Sequence, residues 1–310
     1  AVETDTFNAN VITMADQDLS DRVYELNRTA AEIARAACQK YHTSDKPRFV
    51  VGSIGPGTKL ITLGNTDWPT MFDSYREQVR GLVDGGVDVL LIETAQDLLQ
   101  VKCAINACIA ALEEKGKTPA DIPIMVQVTI ETTGTMLMGT EIAAAANALA
   151  NFPILSLGMN CATGPTEMAE HVQWLSKYWR KKISLLPNAG LPVLVEGRTE
   201  FPLKPEPFAQ TILRYVEESG LNIVGGCCGT TPEHIAALVK AVGTRAPKQR
   251  KLEPLPPACS SLYSTVDYRQ DASILNIGER TNASGSRAFK RMLESEAWDD
   301  MVSLAREQLR

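Results

Sequence analysis

The chain has 310 residues, 44% apolar and 22% charged, with a formal net charge of −6, enough length for one large or two medium domains with real cores. The acidic balance, with Lys and Arg scattered, argues against a nucleic-acid role, and no apolar run approaches the ~20 residues of a membrane span. The start carries no signal-peptide pattern, and seven irregularly spaced cysteines make no disulfide framework, so a reduced, cytoplasmic setting fits better.

In chain order, Ala1-Val2-Glu3-Thr4 reads as the tail of a strand, and Leu19–Tyr41 as an amphipathic helix. Strand Phe49–Ile54 precedes helix Trp68–Asp84, and strand Val87–Glu93 precedes helix Ala95–Lys115. Strands Ile124–Ile130 and Ile154–Asn160 are followed by helices Glu141–Asn151 and Pro165–Lys181. Ile183–Pro187 is taken as the next strand and the competing run Leu191–Val195 as loop; helix Glu206–Glu218, strand Asn222–Gly226 and helix Pro232–Val242 follow. The strands are rich in Val, Ile and Leu with little polar alternation, as strands buried on both faces are. Strand-then-helix units repeating at ~30–40 residues imply a parallel sheet.

The expected fold is α/β, a (β/α)8 TIM barrel, with a doubly wound open sheet as the competitor. Six strands and the initial tail make seven, so the barrel is expected to lack its first βα unit. Gly243 to about Ala272 is basic, then Pro-rich, and reads as a linker. Strand Ile274–Gly278 and a helix from about Ser286 to the end follow, like the first βα unit of a second barrel. The expected domains are 1–245, a linker over 246–271, and 272–310.

The chemistry concentrates at strand ends. Gly225-Gly226-Cys227-Cys228-Gly229-Thr230-Thr231-Pro232 places two thiols between flexible glycines and a helix start, with Thr231 as cap and Pro232 in the first turn. Gly158-Met159-Asn160-Cys161-Ala162-Thr163-Gly164-Pro165 is a matching site. If the two strands are neighbours, three thiolates converge, enough to hold zinc with its fourth position open. Glu93-Thr94, a strand-end carboxylate with no basic residue beside it, suits a cationic ligand group; a structural cap on the following helix is its other reading. Asn188 is either a pocket residue or a turn residue before Gly190. Cys38, Cys103 and Cys108 fall on helices as packed small hydrophobes, Cys259 is an exposed bystander, and His42, His171 and His234 are taken as surface residues. Gly55-Pro56-Gly57 lacks the Lys-Ser/Thr ending of a phosphate loop and reads as a plain turn.

The two Cys motifs, with Glu3-Thr4-Asp5-Thr6-Phe7-Asn8, Gly52-Ser53-Ile54-Gly55-Pro56, Leu91-Ile92-Glu93-Thr94 and Pro187-Asn188-Ala189-Gly190-Leu191-Pro192, resemble the homocysteine-binding domain of the zinc-dependent homocysteine methyltransferases over about residues 1–245. Asn276-Ile277-Gly278-Glu279-Arg280-Thr281-Asn282 resembles the opening strand of a pterin-binding domain, and the two in that order resemble the cobalamin-dependent members of the family. The resemblance implies zinc on Cys161, Cys227 and Cys228, with the homocysteine thiol in the open position. It implies a methyl group taken from methylcobalamin, itself remethylated by methyltetrahydrofolate, to give methionine. It implies that Glu93 and Thr94 meet the substrate ammonium, that Asn188 is a temporary zinc ligand or pocket hydrogen-bond donor, and that Glu3 and Thr4 line the same mouth. Glu279 and Asn282 match pterin-contacting positions. The family's first-strand Asp-Gly-Ala-Met-Gly-Thr type motif and its cobalamin-binding region do not occur in this sequence, so the isolated chain is not expected to perform the complete reaction. The alternatives are a cobalamin-independent methyltransferase using betaine or S-methylmethionine, a binding module with a structural zinc, and a zinc hydrolase.

Overall fold

In the computed structural model, which describes residues 1–271 and 278–308, the chain forms two units, Ala1–Val266 and Asp267–Arg310. The first unit is built on seven parallel strands: β1 (Val2–Glu3), β2 (Val50–Ile54), β3 (Val89–Ala95), β4 (Ile124–Val128), β5 (Ile154–Asn160), β6 (Lys182–Leu186) and β9 (Ile223–Val224). They pair in chain order. A doubly wound sheet reverses its order at a switch point; this one never does, so it is a singly wound parallel arc. The crossovers run through α1 (Val11–Met14) and α2 (Val23–Gln39), then α3 (Trp68–Asp84), α4 (Leu98–Glu113), α5 (Ile142–Leu149), α6 (Ala169–Tyr178) and α7 (Pro205–Ser219), with α8 (Pro232–Val242) after β9. Local chemistry fixes their starts. The Asp67 carboxylate accepts from Thr70 N at 2.8 Å and Asp97 from Leu99 N at 2.9 Å, satisfying first-turn donors.

Strand side chains alternate between two faces. Val50, Ile54, Leu90, Ile92, Ile124, Val126, Leu157, Met159, Ile183 and Leu185 pack outward into the large core beneath the helices. The other face begins with an apolar layer, Val51, Leu91 and Met125, joined by Val89, Leu155 and Ile223. One step toward the strand C-termini that face turns polar: Ser53, Glu93, Gln127, Ser184 and Asn160 are all buried. Gly158 is what makes room there. A Cβ on it would lie 2.0 Å from Ser184 O, and Gln127 Nε2 reaches Ser184 Oγ at 3.1 Å, with Gly158 standing between them in register.

The structure corrects four expectations. Leu191–Val195 is not all loop: β7 (Val193–Val195) pairs antiparallel with β8 (Arg198–Glu200). Glu196 and Gly197 both have positive φ, 50° and 78°, the requirement of the two-residue primed turn that closes hairpins; with Glu rather than Asn first, the signal was weak. Helix α6 starts at Ala169, not Pro165, because residues 161–168 are spent on a loop. The helix expected from Ser286 onward is two, α9 (Arg287–Glu294) and α10 (Trp298–Glu307), with Glu296 between them at φ 53°. His234 is buried, not a surface residue. The expected strand Ile274–Gly278 lies, but for Gly278, outside the described residues.

Residues 246–266, within the stretch read as a linker, are part of the first unit. The Arg250 guanidinium donates to Leu175 O and Trp179 O (3.2 and 2.6 Å) and to Lys181 O (2.5 Å), closing the carbonyl end of α6. The strand β10 (Ala258–Ser260) is pinned by Asn147, whose Nδ2 donates to Ala258 O and Ser260 Oγ. Its partner is β11 (Thr265–Asp267). In the second unit Ser286 caps α9, its hydroxyl accepting from Phe289 N at 3.2 Å. Among the described residues no helix is long and apolar enough to cross a membrane.

Candidate active site

Three loops meet at the C-terminal end of the sheet. β5 ends at Asn160, and Cys161 and Ala162 then turn sharply in the left-handed region, at φ 61° and 55°. After β6, Asn188 N donates to Thr163 O at 3.1 Å, and the Asn188 carboxamide oxygen accepts from Cys228 N at 3.1 Å. After β9, Cys227 N donates to Pro187 O at 2.8 Å, and Ala189 N to Cys228 O at 2.9 Å. The β6 loop is thus stitched to both Cys loops, and the thiols from β5 and β9 meet over it. Gly229, at φ 75°, lies under Phe201, where a Cβ would sit 2.2 Å from the ring.

The three sulfurs lie within 4.8 Å of one another. Cys161 Sγ is 3.8 Å from Cys228 Sγ, and Cys227 Sγ is 3.9 Å from Cys228 Sγ. Tetrahedral bonds of ~2.3 Å from sulfur to zinc set sulfurs about 3.8 Å apart, so two of the three sulfur pairs already stand at the spacing that ion asks for. All seven cysteines are free thiols. Hydrogen bonding from the Cys227 thiol draws Cys161 down to about 6, against the cost of burial. Cys227 is driven up by serving as that donor and by burial, and Cys228 by burial and the Cys161 charge. The cluster therefore favours the thiolate at Cys161 and the neutral thiol at Cys227 and Cys228.

Beside the thiols lies a buried carboxylate. Glu93 accepts from Ser53 Oγ (2.5 Å) and from Asn160 Nδ2 (3.2 Å), both neutral donors. Burial pushes its pKa up, with the Ser53 bond opposing and the Cys161 charge adding. Thr94 stands at φ 54° and is clasped by one side chain: Thr94 N donates to Asn160 Oδ1 and Asn160 Nδ2 donates to Thr94 Oγ1, each at 2.8 Å. Glu3 is held up to about 7 by burial and by the Glu93 charge, and since the residue is exposed, solvent screens part of that effect. Thr4 is buried, its hydroxyl accepting from Ser53 N at 3.0 Å and contacting Thr6 Oγ1 at 2.6 Å, which fixes β1 to β2.

Cys161, Cys227, Cys228, Glu93, Thr94 and Asn188 therefore gather at one end of the sheet, Glu3 beside Glu93, and Thr4 in the scaffold behind. Glu279 and Asn282 are in the second unit, exposed, in a turn where Asn282 N donates to Glu279 O at 3.1 Å. Sequence reasoning left out Asn160 as a site residue, Ser53, and His234. Asn160 had a signal: strand alternation from Gly158 puts it on the inner face. His234 Nδ1 accepts from Thr231 N at 3.2 Å, so its Nε2 carries the proton and donates to Leu203 O at 2.8 Å, fastening the loop after Cys228.

A family model described as homocysteine S-methyltransferase matches residues 1–242. Methionine synthase of Mycobacterium tuberculosis is 44% identical over all 310 residues, and that of Mycobacterium leprae 44% identical over 314 aligned residues. The chain spans 26% of the length of each. Among solved structures, the metallated form of the homocysteine methyltransferase MmuM from Escherichia coli aligns with a TM-score of 0.60 at 22% identity, covering 76% of this chain and 77% of that one. Its oxidised form aligns at 0.59, also at 22% identity, over 77% and 78%. At that identity the likeness is one of fold.

Proposed function

The chain belongs to the homocysteine S-methyltransferase family, and on that premise we propose that it is part of a cobalamin-dependent methionine synthase whose first unit binds and activates homocysteine. The observation that carries this reading is the meeting of three thiols within 4.8 Å, with a buried carboxylate beside them at the same end of the sheet. Cys161, Cys227 and Cys228 are the residues that would hold zinc. A zinc ion bound there supplies the charge that deprotonates a coordinating thiol near neutral pH and so makes it a nucleophile.

The remaining work falls to the chain itself. Glu93, its two oxygens held by Ser53 and Asn160, takes the substrate ammonium, with the Thr94 hydroxyl beside it. Asn188 orients the Cys228 backbone and offers a carboxamide at the cluster. Glu3 adds negative potential near the mouth. Two neutral hydrogen bonds to Glu93 leave its charge for the ligand to neutralise, which favours a cationic group there.

The methyl group comes from methylcobalamin on a further domain of the same protein, recharged by methyltetrahydrofolate. The seven-strand arc is then part of a (β/α)8 barrel over 1–245, 246–271 joins it to the next domain, and 272–310 opens a pterin-binding barrel in which Glu279 and Asn282 face the pterin. Seven free thiols suit a reducing, cytoplasmic compartment.

The test is zinc content by elemental analysis, with X-ray absorption at the zinc edge during a homocysteine titration. One zinc per chain and three sulfur neighbours rising to four are expected. Four sulfurs from the start, or no zinc, would sink the reading. Cys227→Ala is expected to lose zinc and homocysteine binding while keeping its far-ultraviolet circular dichroism; loss of that signal would make the metal structural.

A further inference from the structure

Asn160 is fully buried and holds two chemically different parts of the site at once. Its carboxamide oxygen accepts from Thr94 N, and its Nδ2 faces Thr94 Oγ1 at 2.8 Å, Glu93 Oε2 at 3.2 Å and Cys227 Sγ at 3.9 Å. The groups come from β3, β5 and the loop after β9, and the amide stands where they converge. The carboxylate and the thiol cluster are thus separated by the reach of a single small side chain. The backbone on either side is strained: Thr94 and Cys161, the residues that Asn160 clasps and precedes, are both non-glycine and both left-handed. The surroundings over-determine this geometry, and Asn160 supplies the bonds that cross between strands.

Only an asparagine does this from that position. Aspartate keeps the acceptor for Thr94 N but has no donor for Glu93. Alanine has neither. Glutamine is one methylene longer in a buried space already closed on all sides.

We propose that Asn160 is a positioning and specificity-determining residue that fixes the distance between the Glu93 carboxylate and the thiol cluster, and so selects an amino-thiol with two methylenes between its α-carbon and sulfur over one with a single methylene. This rests on the reading of the site as one for homocysteine. A ligand with an ammonium at one end and a sulfur at the other must satisfy both ends together. When the gap is rigid, a chain one methylene short loses one of the two contacts; when it can close, the short chain recovers it. A methylene is commonly worth about 10–200-fold in discrimination.

The experiment uses the zinc-loaded, full-length protein containing this chain. L-homocysteine and L-cysteine are titrated calorimetrically into wild type, Asn160→Ala and Asn160→Asp, and zinc is quantified in each. Wild type is expected to prefer homocysteine by roughly 10–200-fold, and Asn160→Ala to shrink that ratio by about 5-fold or more with zinc content unchanged. Asn160→Asp keeps the bond from Thr94 N but loses the amide donor and sets two carboxylates face to face, and is expected to move the ratio the same way if Asn160→Ala does not fold. Parallel loss of both affinities with the ratio kept would overturn the proposal and leave Asn160 a structural residue. Zinc lost from the variants but not from wild type would overturn it too, since Asn160 would then serve the metal. Wild type binding neither thiol would defeat the homocysteine reading itself, and the inference with it.

Discussion

Cys161 is the thiol whose protonation the fold controls most directly. Its pKa is drawn down by the Cys227 hydrogen bond to about 6, so in metal-free protein the thiolate accumulates as pH rises through that value. Iodoacetamide is therefore expected to modify Cys161 first, with a rate midpoint near pH 6 read by mass spectrometry; a midpoint in the ordinary thiol range of ~8.5 would contradict the geometry. The stability linkage has a definite sign. A depressed folded pKa stabilises the fold above the unfolded thiol's range, and that contribution is lost as pH falls through about 6. Cys227 and Cys228, shifted up, act in the opposite sense and cost the metal-free fold stability as pH climbs past the ordinary range. His234 anchors the same loop from behind. His234→Ala orphans Thr231 N and Leu203 O, so a loss of about 1–3 kcal/mol in urea unfolding is expected, with faster zinc transfer to a chromogenic chelator. An unchanged transfer rate would mean the loop holds its shape without it.

Elements legible in the sequence were those whose burial pattern was unambiguous. β5 lies where the Val, Ile and Leu pattern put it, and α3 and α8 run from the expected starts to the expected ends. The rest failed for local reasons. The chain after Cys161 reads as a helix start because Gly164-Pro165 is good helix-start chemistry. It is not helical there because Cys161 N bonds to Leu186 O at the end of β6, and Thr163 O accepts from Asn188 N in the loop after it. β9 has only two paired residues, and the donors that follow it, Gly225 N and Cys227 N, go to Leu185 O and Pro187 O, at the end of β6 and just beyond it. The three thiols and Glu93 were readable as strand-end chemistry. The place of Asn160 at a strand end was readable too, but its role was not, because that role depends on partners from other strands that no local pattern announces. At this scale Gly158 is the sharpest test of the sheet. Gly158→Ala drives a methyl into Ser184 O, and a loss of at least about 1–3 kcal/mol in urea unfolding is expected. No change would mean β5 and β6 can slide apart freely.

Across the molecule, the first unit extends well past its last barrel-type helix. Arg250 gives three hydrogen bonds to carbonyls at the end of α6 without a carboxylate partner among them, and burial lowers its pKa. Together with Asn147 and β10, this makes residues 246–266 part of the folded unit. A chain ending at Val266 is expected to unfold in one cooperative step with the midpoint of the full chain's first unit. One ending at Ala246 is expected to unfold earlier by several degrees, since each buried hydrogen bond contributes about 1 kcal/mol. Equal melting temperatures would show the segment to be a passive tether. The left-handed Ala162 has a consequence of another kind, for how such a protein can drift. Every alanine codon is one base from a glycine codon, and glycine at φ 55° relieves strain of about 1–3 kcal/mol. A mutation one base away at that position therefore hardens the fold while slackening the turn that aims Cys161, so a lineage selected only for persistence would gain a sturdier molecule and a blunter thiol in the same step.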